Sequence, residues 1–264
     1  MRILGINSVY HESAATLLVD GQVVAAAEEE RFSRIKHAKP ARVDNADELP
    51  LESIRYCLES AAVKPEDLDA IAYSFDPGLR AGDFILDDKT EAGDWGSKVR
   101  RLSYPTFVRC PTHWLPTSAE QRLTFIPHHL SHAASSFYPS RFEDAAILVA
   151  DGIGEAACTL LARGDKNGIT ILREIPFPHS IGFIWEKISK YLGFSEYDAC
   201  KAMGLAAYGD ASKLWVKSVG GYVVDKATAN FRLPDFERLE ALFGPARKPD
   251  APLESHHYDV AASL

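Results

Sequence analysis

The sequence predicts an α/β fold built on a mixed sheet. Two meanders of short strands, each followed by helical patterns, predict it, as do β-rich stretches on both sides of one long irregular region. The first meander reads as strands at 2–7, 14–19 and 22–28. Asp20-Gly21 joins the second and third, a two-residue hairpin signal because both central positions tolerate φ > 0. Residues 50–62 then place Ile54, Leu58 and Ala61 on one helical face, and a strand follows at 68–75. From Asp76 to Ser118, Gly, Pro, Asp and Trp are interspersed without a steady period, which reads as an insertion or lid carrying short helices. A strand at 123–127 and a helix at 128–138 restore the pattern. The second meander covers 145–151, 156–162 and 169–175, with Gly164 and Gly168 assigned to its second turn. Helices at 180–192 and 198–207, a strand-like run at 220–224, a helix at 234–243 and the start of another at 253–264 complete the chain.

A length of 264 residues suffices for one large domain or two modest lobes with real cores. With 46% hydrophobic and 25% charged residues, the chain is that of an ordered globular protein. A formal net charge of −8 argues against a broad nucleic-acid footprint. No apolar run approaches the roughly 20 residues that span a bilayer, so no membrane partner is expected. The N-terminus enters a strand at Arg2 without a signal-peptide pattern, and the expected compartment is the cytoplasm. Cys57, Cys110, Cys158 and Cys200 are scattered, form no CxxC pair and suggest no disulfide framework. Buried or incidental thiols are the plain reading, with Cys200 beside Lys201 the one to consider for reactivity.

The run Phe125-Ile126-Pro127-His128-His129-Leu130-Ser131-His132 leaves a strand and enters a helix. Pro127 suits that junction because it needs no backbone donor. His128 and His132 are four apart, so they share a helix face with Cβ atoms about 6 Å apart and can point at one ion. His129 points elsewhere and reads as a packing or supporting residue. A bare His-x-x-x-His is more often just a polar helix start. What changes the weighing is Ala150-Asp151-Gly152-Ile153-Gly154-Glu155, which lies close behind it at the end of an apolar strand. There Asp151 is a candidate third ligand, and Gly152 and Gly154 let backbone N–H groups approach a phosphate or carbonyl; a plain β-turn is the alternative. Imidazole nitrogen with a carboxylate suits iron, zinc or manganese, and ligand softness does not choose among them.

Two further segments carry candidate chemistry. Around Asn7–Ala14 and Glu28–His37, the functional reading is that His11 and Lys36 reach an anionic or carbonyl substrate, His11 as hydrogen-bond donor or general base and Lys36 as electrostatic anchor. The ordinary meaning of EEERFSRIKH is a solvated charge run. In Ala199-Cys200-Lys201-Ala202-Met203-Gly204-Leu205-Ala206-Ala207-Tyr208-Gly209, small residues permit close packing, while Lys201 is available to a phosphate.

In this order the pieces resemble the nodulation-type and antibiotic O-carbamoyltransferase family. The resemblance rests on ILGINSVYHESAATLLVDGQVVAAAEEERFSRIKH, HHLSHAASSFYPS, FEDAAILVADGIGE, HSIGFIWEKISKYLGF and KAMGLAAYGD, and it weakens between 77 and 120 and after 210. It implies an actin/Hsp70/sugar-kinase-like (ribonuclease H-like) fold, related to the tRNA threonylcarbamoyladenosine-synthesis proteins, here with an incomplete second lobe. It also implies ATP-dependent transfer of a carbamoyl group from carbamoyl phosphate, through carbamoyl-adenylate, to a hydroxyl of a sugar or natural-product intermediate. Carried over residue by residue, His128, His132 and Asp151 fall on the metal ligands, His11 and Lys36 on catalytic positions, and Gly152 and Gly154 beside the acyl-adenylate or phosphate.

Two departures are visible: His11-Glu12-Ser13 stands where the family has His-Asp-Ser, and Ala207 where it has proline. Family members are also about twice as long, with a second lobe and a YrdC-like domain. The expectation is therefore an N-terminal lobe over 1–250, with 251–264 starting a helix toward a missing second lobe. A complementary second-lobe or YrdC-like polypeptide is the implied protein partner, and the isolated chain is expected to show little transferase activity. The other readings are a non-catalytic nucleotide-binding or scaffold half-protein, and a threonylcarbamoyl-type tRNA modifier, against which the acidic balance counts.

Overall fold

The structure, a computed structural model, describes residues 1–9, 12–38, 49–80, 122–195, 198–214, 223–225, 230–232 and 235–264. They fall into two compact units, Met1–Ser135 and Ser136–Leu264.

In the first unit, β1 (Arg2–Asn7), β2 (Ala14–Val19) and β3 (Gln22–Glu28) form the expected meander. Asp20 and Gly21 both take positive φ, 49° and 80°, as the hairpin requires. Helix α1 (Glu30–Ser33) is followed by α2 (Leu51–Ser60), β4 (Ala70–Tyr73), α3 (Pro77–Arg80) and β5 (Leu123–Phe125). The sheet runs β3-β2-β1-β4-β5; β2 is antiparallel to both neighbours, while β4 lies parallel to β1 and β5 parallel to β4. That order and polarity define the ribonuclease H-like arrangement of the actin/Hsp70/sugar-kinase folds. Alternation builds its core: Leu4 and Ile6 of β1, Ala15 and Leu17 of β2 and Ile71 and Tyr73 of β4 are buried with Ile54, Cys57 and Leu58 of α2. Each large aliphatic side chain so buried contributes about 1.5–3 kcal/mol. Residues 81–120 of the expected insertion lie outside the described residues.

Helix α4 (His128–Ser140) leads into the second unit, where β6 (Ala145–Ala150), β7 (Ala157–Asp165) and β8 (Gly168–Pro176) form an antiparallel sheet in the order β6-β7-β8. This meander repeats the first in both topology and residue type. Ala157-Cys158-Thr159-Leu160-Leu161-Ala162 parallels Ala14-Ala15-Thr16-Leu17-Leu18-Val19, and Asp151 follows β6 as Asn7 ends β1. One expectation is corrected. Gly164 lies inside β7, paired with Ala145 and Ile169, Gly168 opens β8, and the turn is Lys166-Asn167. A Cβ on Gly164 would sit 2.5 Å from the Phe137 ring, so the glycine serves helix packing rather than the turn.

Helices α5 (Gly182–Tyr191), α6 (Ala199–Ala206), α7 (Phe236–Phe243) and α8 (Ser255–Ala262) build the other core of this unit, through Ile184, Ile188, Tyr191, Ala202, Leu205, Leu239, Val260 and Ala261. Between them, β9 (Val223–Asp225) pairs with β10 (Asn230–Arg232), a strand the hydrophobic pattern had not marked. Cys57 and Cys158 are buried and Cys200 is exposed. Cys110 lies outside the described residues. No helix among the described residues is long and apolar enough to cross a membrane.

Candidate metal centre

Chain geometry at the β5–α4 junction sets the two histidines. Ile126 donates its N–H to the Tyr73 carbonyl at 2.8 Å, ending the parallel pairing, and Pro127 accepts from Ser131 N–H at 3.0 Å as the helix begins. His128, first in the helix, is buried, while His132 one turn on is exposed. Nδ1 of His128 lies 3.1 Å from the Ser74 carbonyl oxygen. A carbonyl only accepts, so Nδ1 carries the proton and Nε2 carries the lone pair, the tautomer a metal ligand needs. Nε2 of His132 lies 3.1 Å from that same Nε2, with the two rings perpendicular. Two nitrogens bound at about 2.1 Å to one ion stand about 3.0 Å apart at an octahedral angle and about 3.4 Å at a tetrahedral one. The donor pair therefore fits a divalent ion without moving either ring. His129 is buried, with its ring 5.8 Å from that of His128 and 6.4 Å from that of His132.

The Ser74 carbonyl is itself held. Ser74 donates its N–H to the Ile6 carbonyl at 3.1 Å and its hydroxyl to Asn7 Oδ1 at 2.7 Å, while Asn7 Nδ2 donates to the Glu12 carbonyl at 3.0 Å. Sequence reasoning missed Ser74 as the partner of His128, because the contact is made through a backbone oxygen.

Asp151 follows β6 in the second unit. Its N–H donates to the Cys158 carbonyl at 3.0 Å, and its Oδ1 accepts the Gly152 N–H at 2.7 Å. Gly154 donates to the Ala157 carbonyl at 2.8 Å. Both glycine N–H groups expected to face a phosphate are thus engaged within the turn. Gly152 has a packing reason for lacking a side chain, since a Cβ there would lie 3.3 Å from the Phe183 ring. Ser180, fully buried, spans the turn: its hydroxyl faces the Asp151 and Gly152 carbonyl oxygens at 3.0 and 2.7 Å. It too was missed, although HSIGF was visible as a motif.

The remaining expected residues separate. His11 lies outside the described residues. Lys36 sits exposed in the turn after α1, with His37 Nδ1 3.3 Å from Glu12 Oε1 nearby. The charge run also holds a buried member, Glu29, whose carboxylate accepts the N–H groups of Glu52 and Ser53 at 3.2 and 2.8 Å. Pro50 offers α2 no side-chain cap, so Glu29 supplies it from outside the helix and meets the positive end of its dipole. Lys201 Nζ donates to Asp198 Oδ2 at 3.0 Å. Burial pushes the Asp198 carboxyl up, but the bonds from Lys201 and Ser195 outweigh it and hold the group below the usual carboxylate range.

Compared with known proteins, residues 2–82 and 90–241 match the model of the carbamoyltransferase N-terminus. The chain belongs to that family. This carbamoyltransferase N-terminal chain is 35% identical to the uncharacterized protein sll1178 of Synechocystis over 99% of its own length and 45% of that relative's. It is 38% identical to nodulation protein NolNO of Sinorhizobium fredii over 77% of its own length and 28% of NolNO. It thus spans less than half the length of either relative. Among solved structures, YeaZ from Pseudomonas aeruginosa aligns at a TM-score of 0.34 and 13% identity, covering 66% of this chain and 67% of that one. An Aquifex aeolicus member of the Ppx/GppA family aligns at 0.35 and 12%, covering 80% and 63%. The fold assignment rests on strand order and polarity.

Proposed function

We propose that the chain forms the N-terminal part of the catalytic domain of an ATP-dependent O-carbamoyltransferase. It would take a carbamoyl group from carbamoyl phosphate, through carbamoyl-adenylate, to a hydroxyl of a sugar or natural-product intermediate. The observation that carries this reading is the family match over 2–82 and 90–241. His128, His132 and Asp151 are the residues that would hold one divalent cation, through two imidazole nitrogens and a carboxylate oxygen, with iron, zinc and manganese all compatible. When bound, such a cation polarises a carbonyl or makes a hydroxyl more acidic.

A carbamoyl group is a poor electrophile, and adenylation gives it a better leaving group. His11 takes the proton of the acceptor hydroxyl as its oxygen bonds to the carbamoyl carbon and the bond from that carbon to the adenylate oxygen breaks, releasing AMP, while Lys36 opposes the negative charge that develops. Gly152 and Gly154 line the adenylate side, and Lys201 meets a phosphate by exchanging Asp198 for it. Because the relatives are more than twice as long, turnover is assigned to this chain together with a complementary second-lobe or YrdC-like polypeptide.

The test mixes the purified chain with the C-terminal part of a full-length relative, carbamoyl phosphate, ATP and Fe²⁺, Zn²⁺ or Mn²⁺. Formation of carbamoyl-adenylate and release of pyrophosphate are expected in the mixture and not from the chain alone. A mixture that forms neither with any of the three metals would overturn the reading in favour of a scaffold protein.

A further inference from the structure

We propose that Ser180 is a positioning residue for Asp151, holding the Asp151-Gly152 backbone so that the carboxylate keeps the direction a cation ligand needs. The inference rests on the reading of Asp151 as a ligand and assigns the group that orients it. Ser180 is fully buried, just before α5. Its hydroxyl has one hydrogen, shared between the carbonyl oxygens of Asp151 at 3.0 Å and Gly152 at 2.7 Å, and the oxygen accepts the Phe183 N–H at 3.1 Å. Its donor hydrogen is therefore directed to the turn, and its oxygen accepts from the helix start.

The neighbouring residues close the same clamp. Gly182 donates its N–H to the Asp151 carbonyl at 3.3 Å. A Cβ on Gly182 would stand 2.5 Å from the Asp151 carbonyl carbon and oxygen and from Gly152 N, so only glycine lets the helix end approach this far. Phe183 covers Gly152 from the side. The Asp151 backbone is held at N–H by Cys158 and at the carbonyl by Ser180 and Gly182, which leaves only side-chain torsions to aim the carboxylate. Groups that orient a ligand typically matter 10–100-fold in metal affinity.

The test is Co²⁺ titration of the full chain, followed by visible absorbance, for wild type, Asp151→Ala, Ser180→Ala and Leu239→Ala. Leu239 lies in the helical core of the same unit, so its variant loses stability without touching the turn. Ser180→Ala is expected to bind Co²⁺ 10–100-fold more weakly with an altered absorbance band, and Leu239→Ala to bind as wild type does. Wild-type affinity and spectrum in Ser180→Ala, with binding lost in Asp151→Ala, would overturn the role of Ser180 alone. Wild-type binding in Asp151→Ala would remove the ligand reading, and this inference with it. If Ser180→Ala does not fold, Ser180→Cys, of similar size but a weak donor, takes its place; the same loss is expected and wild-type binding overturns the proposal.

Discussion

His128 donates through Nδ1 to a carbonyl, so its Nε2 carries the lone pair a ligand needs, here facing His132 Nε2 at 3.1 Å. To serve as a ligand through Nε2, His132 carries its proton on Nδ1. Replacing either histidine by alanine should take bound metal from near one ion per chain to a trace, read by elemental analysis after purification in the presence of each metal. Stoichiometric metal in both variants would contradict the proposed ligand set. Glu29 makes a different kind of contribution, as a buried carboxylate serving two orphan N–H groups of α2. Glu29→Ala should lower the unfolding free energy by about 1–2 kcal/mol, measured by urea denaturation. A value within experimental error of wild type would show that water replaces the cap. The spacing of the two histidines made their meeting legible in the sequence. The Ser74 carbonyl was not, because a backbone acceptor has no residue signature, and Glu29 was hidden among neighbouring charges of the same kind.

The segment Ala207-Tyr208-Gly209-Asp210 shows how an element comes to be docked. A Cβ on Gly209 would lie 1.9 Å from the Tyr258 carbonyl oxygen, a contact that only hydrogen can occupy. Asp210 N–H and Lys213 Nζ then donate to the two carboxylate oxygens of Asp259 at 2.8 and 2.9 Å, tying α8 to the end of the motif. Gly209→Ala should displace α8 at a cost of about 1–3 kcal/mol or more, seen as faster hydrogen exchange over 255–262. Bonds from the Asp210 N–H and Lys213 hold the Asp259 carboxyl below the usual carboxylate range. A carboxyl depressed in the folded state stabilises at pH above its unfolded value near 3.9. That contribution is lost as pH falls from there through the folded value. The stability gap between wild type and Asp259→Asn should accordingly be full at pH 6 and shrink below pH 4, as urea unfolding across that range would show. A gap that stays constant would remove the electrostatic account. The small residues of this motif predicted close packing, but not which helix they would meet, since the partner lies some 50 residues on.

At the scale of the molecule, a bound ion is a folding ligand. One that binds only the folded chain adds about 2.7 kcal/mol at a hundredfold excess over its dissociation constant. Thermal unfolding should therefore shift upward with Fe²⁺, Zn²⁺ or Mn²⁺, lose the shift with chelator, and show none in His132→Ala. A shift that persists in that variant would place the ion elsewhere. The two described units each carry their own apolar cluster, one around Leu17 and Ile71 and one around Ile188 and Val260. The sheet of the first was readable because alternation and the Asp20-Gly21 turn agree about its meander. That β4 also neighbours β1 was not, because parallel pairing with β4 joins residues about 67 apart and leaves no local signal.

The sequence by itself determined the strands of both meanders, the helix that carries His128 and His132, and the family, because periodicity, turn chemistry and motif order are local properties of the chain. Only the tertiary structure decided that Ser74 sets the tautomer of His128, that Ser180 and Gly182 clamp the Asp151 turn, and that Gly164 and Gly209 are glycines for helix packing. Each of these depends on atoms brought together from distant parts of the chain, most of them backbone atoms, which every residue carries and no sequence pattern distinguishes.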